Sequence, residues 1–428
     1  MPTDVYTAQH LDDPRSRVGL DGRLERLSSL LEMRRSLWIP RPFVSQPVSW
    51  ESDRPEVARW LRGLREQEVD ALESNLDALD HEAPREWLSL KAEAAELCTV
   101  ARLAGAPSTI VKLKNARFRK GVKGRKWAQI SAFACIVAPH LEGLPLVDWC
   151  SGKGHLGRAL AALNDGCDIT LVERDSSLCL KGAALSQALN RTHPHSYRFV
   201  TANALDPATA IHVPEGAAAV SLHACGVLTD ALHEHAIARG AHLIASALCC
   251  FHFLGDADEF IPRSALGREN DLRLTPTLLR LPIHDEVVAS GSARRARRST
   301  MARRAGFDLL AREASGANHY SPLGSIPKSA VRLSFEQFCR SVAEHTNVQL
   351  PQCIDWAGAQ LAGEEYALRS RALAMVRSIY RRPIELWLVL DRAHRLAEAG
   401  RPALVGRFCE REVSPRNLMI LSAAAKPA

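Results

Sequence analysis

Between Leu144 and Cys250, short apolar runs alternate with helical patterns, and this narrows the possible folds more than any other feature of the chain. "LPLVDW" leads through a glycine turn into the helical "HLGRALAALND", and "CDITLVE" leads into "SSLCLKGAALSQALN". "YRFVTA", "AAAVSLH", the helical "LTDALHEHAIARG" and "AHLIASALCC" follow. Strands that are apolar on both faces need cover on both, and strands separated by helices run parallel. Right-handed crossovers then bring the strand carboxyl ends to one edge, where ligands bind. The expected fold is a doubly wound, mostly parallel, Rossmann-like α/β sheet with its core at 141–255.

The flanks read differently. Residues 1–110 suggest a helical N-terminal cap, because "RLERLSSLLEMRRSLW" and "PEVARWLRGLREQEVDALESNLDALD" space leucines and tryptophans three or four apart among charges. Residues 111–140 read as a basic linker and helix, and 256–366 as an arginine-rich insertion with helices before the last strand. Residues 367–428 supply the helix "PIELWLVLDRAHRLAEAG", with Gly400 at its C-cap, and "SPRNLMILSAA" as a last strand completing the core. No apolar stretch approaches the length of a membrane span, and the polar start lacks the layout of a signal peptide. The expectation is a cytoplasmic protein with no membrane partner. The eleven cysteines lie mostly in apolar segments and fit buried thiols in a reducing compartment.

In "LVDWCSGKGHLGRAL", Gly152 and Gly154 allow close backbone approach to a ligand at a helix N-terminus, although a tight structural turn has the same look. Glu173 ends the next strand nineteen residues after Gly154, where an acid accepts ribose hydroxyls. Asn203 and Ala204 follow the third strand, where an amide meets an adenine edge. There is no GK[ST] loop to cradle a triphosphate, so an adenosine without phosphates fits better. The candidate cofactor contacts are Asp148, Cys150, Ser151, Gly152, Lys153, Gly154, Glu173, Asn203 and Ala204. At this point a dinucleotide-binding dehydrogenase remains a rival, since Gly157 completes G-x-G-x-x-G.

The fourth strand leads into "SLHACG" and the fifth into "ALCCFH". His223, His252 and Cys250 are therefore candidate catalytic residues, one histidine orienting or deprotonating a nucleophile. The competing reading makes the cysteines core hydrophobes and His223 a hydrogen-bonded core histidine. A zinc site from Cys225, Cys249, Cys250 and His252 is set aside, since adjacent cysteines rarely share an ion and no C-x₂-C pair anchors it. No metal is expected.

Asp148-x-Cys150-x-Gly152-x-Gly154 resembles D-x-G-x-G-x-G, the first motif of class I S-adenosylmethionine-dependent methyltransferases, with cysteine at the first glycine. "SGKGHLGR", "LHACGVLTD" and "ALCCFH" are similar to one branch of that class. It includes methyltransferase-like proteins described as ribosomal RNA adenine dimethylase domain-containing, and tRNA acceptor-stem ribose 2′-O-methyltransferases. "PIELWLVLDRAHRLAEAG" and "EREVSPRNLMIL" resemble the tail of the former group. The resemblance covers about residues 125–255 and 383–421. It implies S-adenosyl-L-methionine as cofactor, held by the loop backbone from Cys150 to Gly154, by Glu173, and by Asn203 with Ala204. It also implies an RNA acceptor, rRNA or tRNA. "LHACG" lacks the prolines and aromatic that hold an exocyclic adenine nitrogen, which favours a ribose hydroxyl over that base atom. The zinc modules of the tRNA enzymes are not visible.

Charge fits RNA. Lys112–Lys126 carries eight basic residues and Arg294–Arg304 six, so the net +7 leaves the rest of the chain at +7 − 14 = −7. Clustered cations reward phosphate contact through counterion release. Lys120, Lys123, Arg125, Lys126, Arg294 and Arg295 are the candidate substrate-binding residues, with Trp127 either stacking on a base or packed on the core. "RRARRSTMARR" reads as an RNA-gripping helix or a disordered insertion. Two alternatives stay open: a methyltransferase-fold RNA-binding scaffold with a vestigial site, and a protein methyltransferase.

Overall fold

The computed structural model describes residues 5–6, 14–105, 113, 119, 121–141, 143–164, 167–190, 195–283, 290–317, 320, 322–324 and 333–424. The chain forms two compact units, one of residues 1–32, 96–284 and 382–428, the other of 33–95 and 285–381. This division cuts across the five segments expected from sequence. The N-terminal third is split, and its middle belongs with the arginine-rich stretch.

The first unit is built on one sheet. Its strands are β1 (Val5–Tyr6), β2 (Arg102–Leu103), β3 (Leu146–Trp149), β4 (Asp168–Glu173), β5 (Ser196–Thr201), β6 (Ala218–Cys225), β7 (Leu243–Cys249), β8 (Ala403–Arg407) and β9 (Leu418–Ala423). Their order is β1-β2-β8-β9-β7-β6-β3-β4-β5. From β3 to β7 the pairings are parallel, while β9 runs antiparallel to both β7 and β8. The order reverses at β3, with β4 and β5 on one side and β6 and β7 on the other. That switch point opens a crevice at the carboxyl ends of β3 and β6.

β3 and β7 are buried along their whole length, as continuous apolar runs require. Ile130 and Phe133 of helix Gly124–Val137 and Leu156 and Leu160 of helix His155–Ala161 share a core with Leu146, Leu171, Val220, Ala245 and Met419. "SPRNLMIL" does supply the last strand, and Gly400 takes the left-handed conformation past helix Arg381–Glu398.

The second unit is helical. Its long helices Gly291–Ser315 and Trp356–Ile379 approach so closely that a Cβ at Gly363 would stand 2.6 Å from the Gly306 nitrogen. The stretch "RRARRSTMARR" is therefore helix, ordered by packing. Among the described residues no helix is long and apolar enough to cross a membrane.

Candidate active site

The site grows from three strand ends whose backbones leave ordinary conformations. Cys150 after β3, His223 in β6 and Cys250 after β7 have φ of 57°, 70° and 48°. Such values are rare outside glycine, cost energy, and persist where surroundings force them.

At the β3 corner, Asp148 is 2% exposed and its Oδ2 accepts the Gly157 N–H at 2.9 Å. Burial pushes its carboxyl up to about 7, against the pull of the Gly157 N–H and the Arg158 charge. Gly152, at φ 57°, faces open space, since nothing lies within 4 Å of a Cβ built there. Gly154 is the opposite case, because its Cβ would overlap Leu171. One glycine leaves room for a ligand and the other lets the helix pack on the sheet.

Glu173 stands beside this opening. One carboxylate oxygen accepts the Gly152 N–H at 2.9 Å and the other the Asp175 N–H at 3.0 Å. The acid thus braces the glycine loop and is itself held in place, with lone pairs left for hydroxyl donors. Asn203 is exposed, its Oδ1 accepting from Leu205 N at 3.2 Å, while Ala204 is buried. Ser151 and Lys153 are half-buried in the same loop. The Cys150 thiol is pushed up to about 12, by burial first and then by the Glu173 and Asp148 charges, so it is no nucleophile at neutral pH.

His223 is held by a residue that belongs to no sequence motif. The Gln129 side chain donates to the Val413 carbonyl at 3.0 Å, which turns its Oε1 toward His223 Nε2 at 2.8 Å. Nε2 therefore carries the proton, and Nδ1 is buried without a hydrogen-bond partner. Burial, then the Arg416 charge, lowers its pKa to about 4, so the ring is neutral. Arg416 also acts on Cys225 and Cys250. It was visible in sequence only as part of the quoted "SPRN". His252 is half-buried, its Nδ1 likewise unpartnered, and burial lowers its pKa.

The three thiols of Cys225, Cys249 and Cys250 lie within 4.8 Å of one another. Adjacent cysteines rarely share an ion, yet here Cys249 and Cys250 do converge with Cys225. The left-handed Cys250 brings its thiol to the side of Cys249. Hydrogen bonds from Cys225 and Cys249 push the Cys250 thiol down, and Cys249 goes up.

The candidate substrate residues separate. Lys123, Arg125 and Lys126 are exposed at the start of helix Gly124–Val137, and Lys126 acts electrostatically on Asp148, His155 and His223. Trp127 is buried in the core. Lys120 lies outside the described residues. Arg294 and Arg295 belong to the other unit. Arg294 donates to Ser74 Oγ at 3.3 Å, and Arg295 is exposed beside a groove of about 640 Å³ that Glu66, Asp70 and Glu364 also line.

Residues 125–257, spanning this edge, match the family described as "Methyltransferase domain", whose cofactor is S-adenosylmethionine. A stretch of 142 residues is 30% identical to the glutathione S-transferase C-terminal domain-containing protein of Homo sapiens, covering 33% of this chain and 21% of that protein. The Mus musculus protein of that name is 31% identical over 142 residues, with the same shares. The chain thus spans about a fifth of the length of the relatives it matches. Among solved structures, a geranyl diphosphate methyltransferase in complex with GPP and sinefungin aligns at 16% identity and a TM-score of 0.23, covering 46% of this chain and 66% of that one. A coclaurine N-methyltransferase bound to N-methylheliamine and SAH aligns at 17% and 0.22, covering 52% and 63%.

Proposed function

We propose that the protein is an S-adenosylmethionine-dependent methyltransferase acting on RNA, with the cofactor held at the β3 corner. The observation that carries this reading is the open face at Gly152 with the Glu173 carboxylate fixed beside it. The loop from Cys150 to Gly154 would hold the amino-acid part, Glu173 the ribose hydroxyls, and Asn203 with Ala204 the adenine. Bound there, the cofactor supplies an electrophilic methyl on a sulfonium.

This chain's own residues would handle the acceptor. His223, fixed by Gln129 with its buried Nδ1 lone pair unpartnered, would orient an acceptor hydroxyl by accepting its hydrogen bond. Lys123 and Lys126, exposed at the helix start, would meet backbone phosphates. The lysines support RNA over a small acceptor, and the absence of prolines and an aromatic in "LHACG" supports a ribose hydroxyl over a base nitrogen.

The test combines calorimetry with S-adenosylmethionine and transfer of labelled methyl to total RNA and total protein from a deletion strain. Saturable heat, and label recovered in alkali-resistant dinucleotides of RNA, is the expected result. No heat at high micromolar cofactor overturns the enzyme reading. Label confined to protein overturns the acceptor.

A further inference from the structure

We infer that Cys225, Cys249 and Cys250 form a site for one thiophilic metal ion, zinc, with a coordination position left for solvent or a substrate atom. The inference does not depend on methyl transfer.

The first support is distance. Thiolates bind zinc at about 2.3 Å, so two of them on a tetrahedral ion stand roughly 3.8 Å apart. Cys225 Sγ and Cys249 Sγ are 3.8 Å apart, and all three sulfurs fall within 4.8 Å. A small inward movement of Cys250 completes a face of that tetrahedron.

The second support is the backbone that achieves this. Successive side chains of an extended strand point to opposite faces, so Cys249 and Cys250 should diverge. Cys250 breaks the alternation with its φ of 48°. In β6, a register shift between Leu222 and Cys225 sets Cys225 directly opposite Cys249. Two independent irregularities thus converge on one cluster, and bulges of this kind re-aim side chains next to sites.

The third support is the surroundings. Cys225 and Cys250 are half-buried, unlike Cys135, Cys167, Cys339 and Cys409, which are buried core thiols. Three thiolates around a divalent ion leave one net negative charge, and Arg416, which acts on both Cys225 and Cys250, offsets it. Binding would displace thiol protons to solvent. Among the described residues no fourth histidine, cysteine or carboxylate joins the group. Three protein ligands and an open position characterise sites that bind and polarise a ligand, whereas closed four-ligand sites are structural. The open position would lie in the neighbourhood of the cofactor corner, since Cys225 is close enough to act on Cys150.

The experiment uses the full chain, reduced, with metal content measured as purified and after chelation, followed by titration with cobalt(II). One zinc per chain is expected. Cobalt(II) should bind one to one, with tetrahedral d–d bands and near-ultraviolet thiolate charge transfer, and zinc(II) should displace it. Cys225→Ser and Cys250→Ser should each weaken binding by more than about 10-fold, whereas Cys339→Ser should not. The inference is overturned by absent charge transfer at equimolar cobalt in natively folded protein, by binding undiminished in Cys225→Ser, by copper in place of zinc, or by a Cys225–Cys249 disulfide as the purified state. Calorimetry with S-adenosylmethionine on the metal-free chain reports separately on the cofactor site.

Discussion

Gly152 and Gly154 are one residue apart in sequence and do opposite things. The first borders open space, and the second lies under Leu171. Gly152→Ala should therefore cost roughly 1 kcal/mol of stability for its left-handed backbone and abolish cofactor heat in calorimetry. Gly154→Ala should lower the melting temperature far more, because the helix must lift from the sheet. Glu173→Ala removes charged hydrogen bonds of about 1.5–3 kcal/mol each and releases the Gly152 loop. Cofactor affinity should fall by roughly one to two orders of magnitude, with far-ultraviolet circular dichroism unchanged; affinity within twofold of the parent would remove Glu173 from the site. Asp148 makes a pH prediction. Its native carboxyl is raised to about 7 from 3.8, so between those values the folded chain holds a proton that the unfolded chain has lost. Stability then falls as pH rises through that window, by an amount on the order of a few kcal/mol, and is untouched below it. Asp148→Asn should flatten this dependence in urea melts between pH 4 and 7, and a parallel decline in both proteins would refute the assignment. The corner itself was legible in sequence, since turn glycines and a strand-end acid sit at fixed spacing. Gln129 was not, because its partner His223 lies 94 residues away and no local pattern joins them.

Elements that bury both faces announce themselves, and β3, β4, β6 and β7 were readable for that reason. β8 was not, because "ALVGR" is short and ends in glycine and arginine, and two-residue strands such as β1 and β2 leave no pattern at all. The division into two units was hidden for a related reason: Arg371 binds Asp70 across 301 residues. The resemblance of "PIELWLVLDRAHRLAEAG" was visible in helix Arg381–Glu398, but the task of its Asp391-Arg392 pair was not. Arg392, 1% exposed, gives Nε to Asp230 Oδ1 at 2.6 Å and covers the rings of Phe251 and Phe260. Asp391 accepts the Arg263 and Ser264 N–H groups and the Ser264 hydroxyl. The motif is a clamp holding the chain after β7 against the helix. Removing one partner of a buried pair strands the other, at about 3–5 kcal/mol. Asp230→Ala should show that loss in a urea melt, and a change under 1 kcal/mol would mean that the clamp is dispensable.

Across the whole molecule, charge counted along the sequence is not charge free to meet a phosphate. The two basic runs looked equivalent by composition, yet within its own unit Arg298 is bound to Asp70, with Glu66 and Glu73 at 3.8 Å. Arg303 and Arg304 donate to the Leu333 and Gly324 carbonyls. Acids from 66–73 thus hold Arg298, and backbone carbonyls hold Arg303 and Arg304, for the sake of helix packing. The first run keeps Lys123 and Lys126 exposed, and Lys126 bears on the cofactor edge. If RNA is the acceptor, each phosphate-bound lysine adds about 0.7–0.9 to the slope of log affinity against log salt. Lys123→Ala with Lys126→Ala should lower that slope by about 1.4–1.8. Arg298→Ala should leave the slope alone and lower the melting temperature, because it removes one of the two arginines bound to Asp70 and no phosphate contact. Filter binding of total RNA from 50 to 200 mM salt separates the two. A slope that responds to Arg298 and ignores the lysines would place the RNA surface on the helical unit.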